Sequence, residues 1–180
     1  STTVRKVYRR CKRQNKIRYV IATKKYANLI SPTDMKQYVI VSLLAPETTP
    51  MFKREEWPLH LTLAGPFFSD REFGELAEKM KEACSETKGM TLRGTERRMY
   101  GRDKNISGTM IERTPELYAL HNRLFDALKG MVTIKIPEHN RVAYNPHVSD
   151  RPTGKILPGQ TFTLESATLL EYLDENVVIL

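Results

Sequence analysis

The 180-residue sequence predicts one α+β domain, and three observations carry that prediction. Apolar, β-branched runs of strand length recur along most of it, two amphipathic stretches with start and stop signals lie among them, and no low-complexity linker divides the chain. Its composition agrees, because 40% hydrophobic and 28% charged residues describe a globular chain rather than a disordered one.

The elements follow in order. Tyr38 to Leu44 is apolar and β-branched, which predicts a buried strand, with Pro46 and Pro50 punctuating its exit. Leu59 to Leu63 alternates apolar and polar residues and predicts a strand with two distinct faces. Ser69-Asp70-Arg71-Glu72 reads as a capping box opening a helix whose apolar residues Phe73, Leu76, Ala77, Met80 and Cys84 share a face. Strands are expected over Thr91 to Tyr100 and Ile106 to Ile111, with a turn at Gly101. Thr114-Pro115 caps and starts a second helix, with Leu117, Leu120, Leu124 and Leu128 on one side and Gly130 as its stop. Further strands are expected near Val132 to Ile136, Arg141 to Val148 and Phe162 to Leu173. Asp174-Glu175-Asn176 then turns the chain into Val177 to Leu180. Each half offers strands, a histidine-bearing strand and a helix, a weak two-fold echo.

Several classes are excluded early. The longest apolar stretch, Tyr38 to Ala45, is too short to cross a bilayer, and no signal-peptide pattern opens the chain. Two cysteines, Cys11 and Cys84, are too few for a disulfide framework or a zinc site. The expectation is a soluble cytoplasmic protein with no membrane partner, no metal and no cofactor.

Charge divides the chain more sharply than composition does. Residues 1–30 carry ten basic side chains and no acidic one, whereas from Ser31 onward 21 acidic residues face 19 basic ones. The formal charge of +8 therefore belongs to an N-terminal extension, residues 1–30, set before a body of residues 31–180. Val4, Val7, Tyr8 and Cys11 fall at helical spacing, and Ile17 to Ile21 has strand-like composition. Such an arm can neutralise nucleic-acid phosphates in a salt-dependent way, or pack its few apolar residues on the body; charge alone does not choose.

The histidines carry the chemistry. Pro58-Leu59-His60-Leu61-Thr62-Leu63 and Pro146-His147-Val148-Ser149 repeat one local setting: a histidine, an aliphatic residue, then a hydroxyl, 87 positions apart. On a strand, residues i and i+2 share a face, so His60 and Thr62 point one way while Leu61 and Leu63 enter the core. His147 and Ser149 do the same around Val148. Two imidazoles can divide the work of base and acid at a phosphodiester, and two hydroxyls can donate to its non-bridging oxygens. His121 sits on the apolar face of the second helix and reads as a core histidine, while His139 lies in a polar loop.

These motifs resemble the 2H phosphoesterase superfamily, and most nearly its RNA 2′,3′-cyclic phosphodiesterase branch, also called the 2′-5′ RNA ligase family. The resemblance rests on His60-Leu61-Thr62-Leu63, followed by Gly65-Pro66-Phe67, and on His147-Val148-Ser149, and it covers about Lys36 to Leu180. It implies a bilobal α+β fold, two antiparallel sheets flanking a cleft with helices outside and one histidine per lobe. It implies acid/base roles for His60 and His147, unassigned between them, and phosphate-binding roles for Thr62 and Ser149. The implied substrate is RNA or a nucleotide with a 2′-linked or cyclic phosphodiester. Destruction of cyclic or 2′-5′ oligonucleotide immune messengers, or binding without turnover, are the alternatives.

Around the motifs, Arg151, Arg102 and Lys155 are candidates to draw phosphate to the cleft, Arg151 above all because it follows the second motif. Phe67, Phe68, Tyr100 and Tyr144 are candidate platforms for a base, or else core. Thr153-Gly154-Lys155 lacks the leading glycine and trailing hydroxyl of a phosphate-binding loop, and no Gly-x-Gly-x-x-Gly or His-Glu-x-x-His occurs.

Overall fold

The structure is a computed structural model that describes residues 18–20, 35–45, 49–85, 87, 89–101 and 103–180. Eleven strands fall into two sheets, and two α-helices accompany them among the described residues. The larger sheet is ordered β3-β11-β10-β2-β4-β7, from Met51–Lys53, Asn176–Ile179, Ser166–Leu173, Lys36–Leu43, His60–Ser69 and Thr133–Ile134. Strand β1, Arg18–Val20, lies parallel to the start of β10, and the other pairings are antiparallel. The smaller sheet is ordered β8-β6-β5-β9, from His147–Ser149, Ile106–Ile111, Met90–Tyr100 and Thr161–Leu164, and is antiparallel throughout. An α+β fold of two sheets is therefore what the chain adopts. No helix is long and apolar enough to cross a membrane among the described residues.

Local signals place many of these elements. Thr114 accepts a hydrogen bond from the Leu117 amide at 3.2 Å and caps α2, Pro115–Ala127. Gly101, at φ +84°, supplies the left-handed turn between β5 and β6. The first helix, α1, runs over Phe73–Cys84 but not from the expected cap. Glu72 holds the N-cap position, and the Ser69 hydroxyl instead accepts from the Arg71 amide at 3.1 Å and donates to the Met131 carbonyl at 2.7 Å.

Three strand expectations change. The run from Phe162 to Leu173 breaks at Glu165, so that β9 joins the smaller sheet and β10 the larger. Arg141 takes left-handed backbone at φ 58° and opens a short 3-10 turn, which leaves only His147–Ser149 of the strand expected from Arg141 to Val148. The strand near Val132 to Ile136 shrinks to Thr133–Ile134. Lobes and sequence halves also differ, since the larger sheet draws strands from both ends of the chain. Of the N-terminal extension only β1 is described, within the strand-like Ile17 to Ile21. The helix expected from Val4, Val7, Tyr8 and Cys11 lies outside the described residues.

The main core joins both sheets and both helices: Leu61, Leu63 and Leu169 of the larger sheet, Leu76 and Met80 of α1, Leu120 and Leu124 of α2, and Ile111, Val148 and Leu164 of the smaller. A second cluster, with Val39, Val41, Phe52, Trp57 and Leu170, covers the opposite face of the larger sheet. In an antiparallel pair, residues directly opposite share a face. Thr62 lies opposite Val41 and His60 opposite Leu43, so both polar residues emerge on that second face, away from the helices.

Candidate active site

His60 and His147 start strands β4 and β8, each alternating with aliphatic residues that anchor it. Leu61 and Val148, the residues between histidine and hydroxyl, are both fully buried. That burial turns His60 with Thr62, and His147 with Ser149, out of the main core. Strands β4 and β8 touch across the two sheets. One contact ties the site's loop to β4: the Tyr144 hydroxyl donates to the Thr62 carbonyl at 2.7 Å.

Each histidine is held in the same way. His60 Nδ1 lies 2.7 Å from the Pro58 carbonyl oxygen and His147 Nδ1 lies 2.9 Å from that of Asn145, in both cases two residues back. A carbonyl only accepts, so each Nδ1 carries the proton and each neutral ring keeps its lone pair on Nε2. An aromatic ring backs each imidazole. Trp57 lies 4.5 Å from His60, tilted by 38°, and Tyr100 lies 3.9 Å from His147, stacked within 10°.

Burial pushes the His60 pKa down to about 4, with the charges of Arg151 and His147 adding to the effect. Burial also lowers the His147 pKa, helped by His139 and Arg151. The charge of Arg151 thus bears on both imidazoles, and that of His147 on His60. Arg151 itself is half-buried, with Nε enclosed and, among the described residues, without a hydrogen-bond partner, and its backbone closes a tight turn with Gly154. Tyr172, packed on Trp57 at 5.8 Å, lies within its field. Among the described residues no hydrogen bond engages the side-chain hydroxyl of Thr62 or Ser149.

Two expected base platforms are corrected. Phe67 is fully buried opposite Tyr38, with ring centroids 6.1 Å apart, and has no face to offer. Tyr144 is buried against His121, stacked at 3.8 Å, with its hydroxyl spent on Thr62. Aromatic residues near a motif were drawn inward by their apolar area. Phe68 carries the Lys135 ammonium over its ring at 5.7 Å. Lys155 is exposed, and Arg102 lies outside the described residues. His121 is a satisfied core histidine, bonded through Nδ1 to the Leu63 carbonyl at 2.7 Å and through Nε2 to the Arg141 amide at 3.0 Å.

Sequence reasoning missed Trp57 and Gly108, and it read Tyr100 as a base platform rather than as the ring behind His147. A Cβ on Gly108 would stand 2.8 Å from the Val148 carbonyl oxygen and 3.1 Å from the Ser149 Cα, so glycine lets β8 lie where it does. A glycine inside a strand is itself a signal of close backbone approach. Arg97 braces the same region by gripping both oxygens of Asp150 together with Thr109 and Ser107.

Comparison with known proteins adds a family. The model of the 2′-5′ RNA ligase superfamily matches residues 46–175. Among solved structures, one titled as a phosphoesterase aligns at 15% identity and TM-score 0.49, over 81% of this chain and 94% of the other. Escherichia coli LigT complexed with 3′-AMP aligns at 16% identity and TM-score 0.49, over 82% and 96%. The MHV ns2 PDE domain aligns at 11% identity and TM-score 0.42, over 81% and 99%. No curated protein matches the chain.

Proposed function

The chain belongs to the 2′-5′ RNA ligase superfamily, and from that premise we propose that it is a two-histidine phosphodiesterase acting on RNA or nucleotides with a 2′-linked or cyclic phosphodiester. One observation carries the reading: two imidazoles with Nδ1 tied to the backbone, each followed by a hydroxyl that no hydrogen bond engages among the described residues, both within the field of one guanidinium. One Nε2 takes the proton from water or a ribose hydroxyl as its oxygen attacks phosphorus. The other, protonated, gives its proton to the leaving oxygen as the P–O bond breaks. Thr62 and Ser149 donate to the non-bridging oxygens, where charge grows, and Arg151 pairs with the phosphate.

The low resting pKa values fit this cycle. With no carboxylate paired to Arg151 among the described residues, both histidines rest neutral; an arriving phosphate anion offsets the guanidinium and favours protonation of the one that acts as acid. Residues 31–180 form the catalytic unit, and the basic residues of 1–30 add phosphate contacts along a longer RNA.

A panel of linear, 2′-5′-linked and cyclic oligonucleotides, including messenger-type cyclic and 2′-5′ species, tests the proposal by product analysis in EDTA. Turnover of one class, lost in both His60→Ala and His147→Ala, is the expected result. Binding without product in the wild type, retained in both variants, would make the protein a nucleotide-binding module instead.

A further inference from the structure

We propose that Tyr100 is a positioning residue for His147, its ring fixing the imidazole plane and offering the π face that supports the imidazolium form. The inference rests on the two-histidine reading and adds a residue outside both motifs.

The contact is built by three strands. Tyr100 ends β5 and His147 starts β8, with β6 between them. To reach the imidazole the ring must cross β6, and the residue it crosses is Gly108: a Cβ there would lie 3.2 Å from Tyr100 Cδ2. Arg98, Gly108 and Ser149 stand opposite one another across the three strands, so the ring lies on the face that carries the second motif. A parallel stack at 3.9 Å leaves the imidazole little freedom to rotate, and the Asn145 carbonyl fixes it in plane.

Electrostatics supplies the second half. Among the described residues the charges that bear on His147 are cationic: His139 from the 3-10 turn of residues 137–139 and Arg151 from the turn after β8, with His60 of β4 coupled to His147 in turn. Two carboxylates from the strands involved are committed elsewhere, Asp150 after β8 to Arg97 and Glu96 of β5 to Arg98. A proton on His147 therefore meets repulsion and burial, and the electron-rich face of a stacked phenol ring is the compensating surface. Stacking alone does not define such a role. His121 stacks as closely on Tyr144, but both its ring nitrogens are bonded to backbone, whereas His147 keeps Nε2 free among the described residues.

The test is a histidine-detected NMR titration of the full chain, paired with pH–rate profiles, in the wild type, Tyr100→Phe and Tyr100→Leu. Leucine keeps the site dry but removes the π face, so the His147 midpoint moves to lower pH by about 0.5 or more. The acid limb of the rate profile moves with it, and kcat falls roughly tenfold with KM little changed. The His60 midpoint stays in place, and phenylalanine restores the wild-type behaviour. An unmoved His147 midpoint in Tyr100→Leu, or a phenylalanine variant as impaired as leucine, overturns the inference. If no substrate is turned over, the two-histidine reading fails while the titration still reports on the ring. Should the leucine variant not fold, Tyr100→Met carries the same comparison.

Discussion

His60 donates from Nδ1 to the carbonyl oxygen of Pro58 at 2.7 Å, a bond made within the strand entry itself. The imidazole is thereby oriented by the protein alone, and its tautomer is set by a group that cannot titrate. The bond and the burial oppose each other. The carbonyl favours the charged ring, desolvation disfavours it more, and the pKa settles near 4.

That shift makes a statement about stability. The folded pKa of about 4 lies below the ordinary 6.5, so between these values the unfolded chain binds more protons than the native one. Stability contributed by neutral His60 is present above the unfolded value and is lost as pH falls toward 4, by about 3 kcal/mol in all. Urea midpoints measured from pH 7 to pH 4 should therefore fall more steeply in the wild type than in His60→Asn, whose amide can still donate to Pro58. Parallel curves would show that His60 is not the group responsible.

Gly108 and Gly74 should respond oppositely to alanine. At Gly108 the new Cβ meets the Val148 carbonyl oxygen at 2.8 Å, which forces β8 away and costs about 1–3 kcal/mol, with turnover falling too. Gly74 lies in α1 with nothing within 4 Å of such a carbon, and alanine there stabilises by roughly 0.5–1 kcal/mol. Thermal melts of the two variants make the comparison, and a Gly108→Ala protein with wild-type stability and turnover would refute the close-approach argument.

Thr62→Val and Ser149→Ala remove only the hydroxyls. Each should lower kcat about 10²-fold while leaving the circular dichroism spectrum unchanged, because no hydrogen bond among the described residues depends on either group. Steady-state kinetics on the best substrate of the panel checks this. A variant losing affinity alone would assign its hydroxyl to ground-state binding.

Removing residues 1–17 takes away seven basic side chains and spares β1. RNA affinity should weaken, and the slope of log K against log salt should flatten, while turnover of a short cyclic substrate holds. Filter binding at several salt concentrations measures the slope, and an unaltered one would leave these residues without a phosphate-binding role.

Much of the fold was legible because the signals are local. Strand β2 announces itself by β-branched residues, the β5–β6 hairpin by Gly101, and α2 by Thr114-Pro115. The elements misjudged are those whose fate was settled by distant contacts. Nothing within Phe162 to Leu173 marks Glu165 as the point where one run serves two sheets. Ser69 has the spacing of a cap, yet Met131, far along the chain, takes its hydroxyl. Phe67 and Tyr144 sit beside the motifs in sequence, and burial turned them into core.

By itself the sequence determined the pair of histidine–hydroxyl motifs, because strand alternation is a period-two property written into neighbouring residues. It also determined the acid–base chemistry open to them and the separation of basic arm from body. Only the tertiary structure decided that strands β4 and β8 touch, that the charge of Arg151 bears on both histidines, and that a ring from β5 crosses Gly108 to reach His147. Those relationships depend on which strands become neighbours, and strand order is set by the burial of whole faces rather than by the residues that later touch.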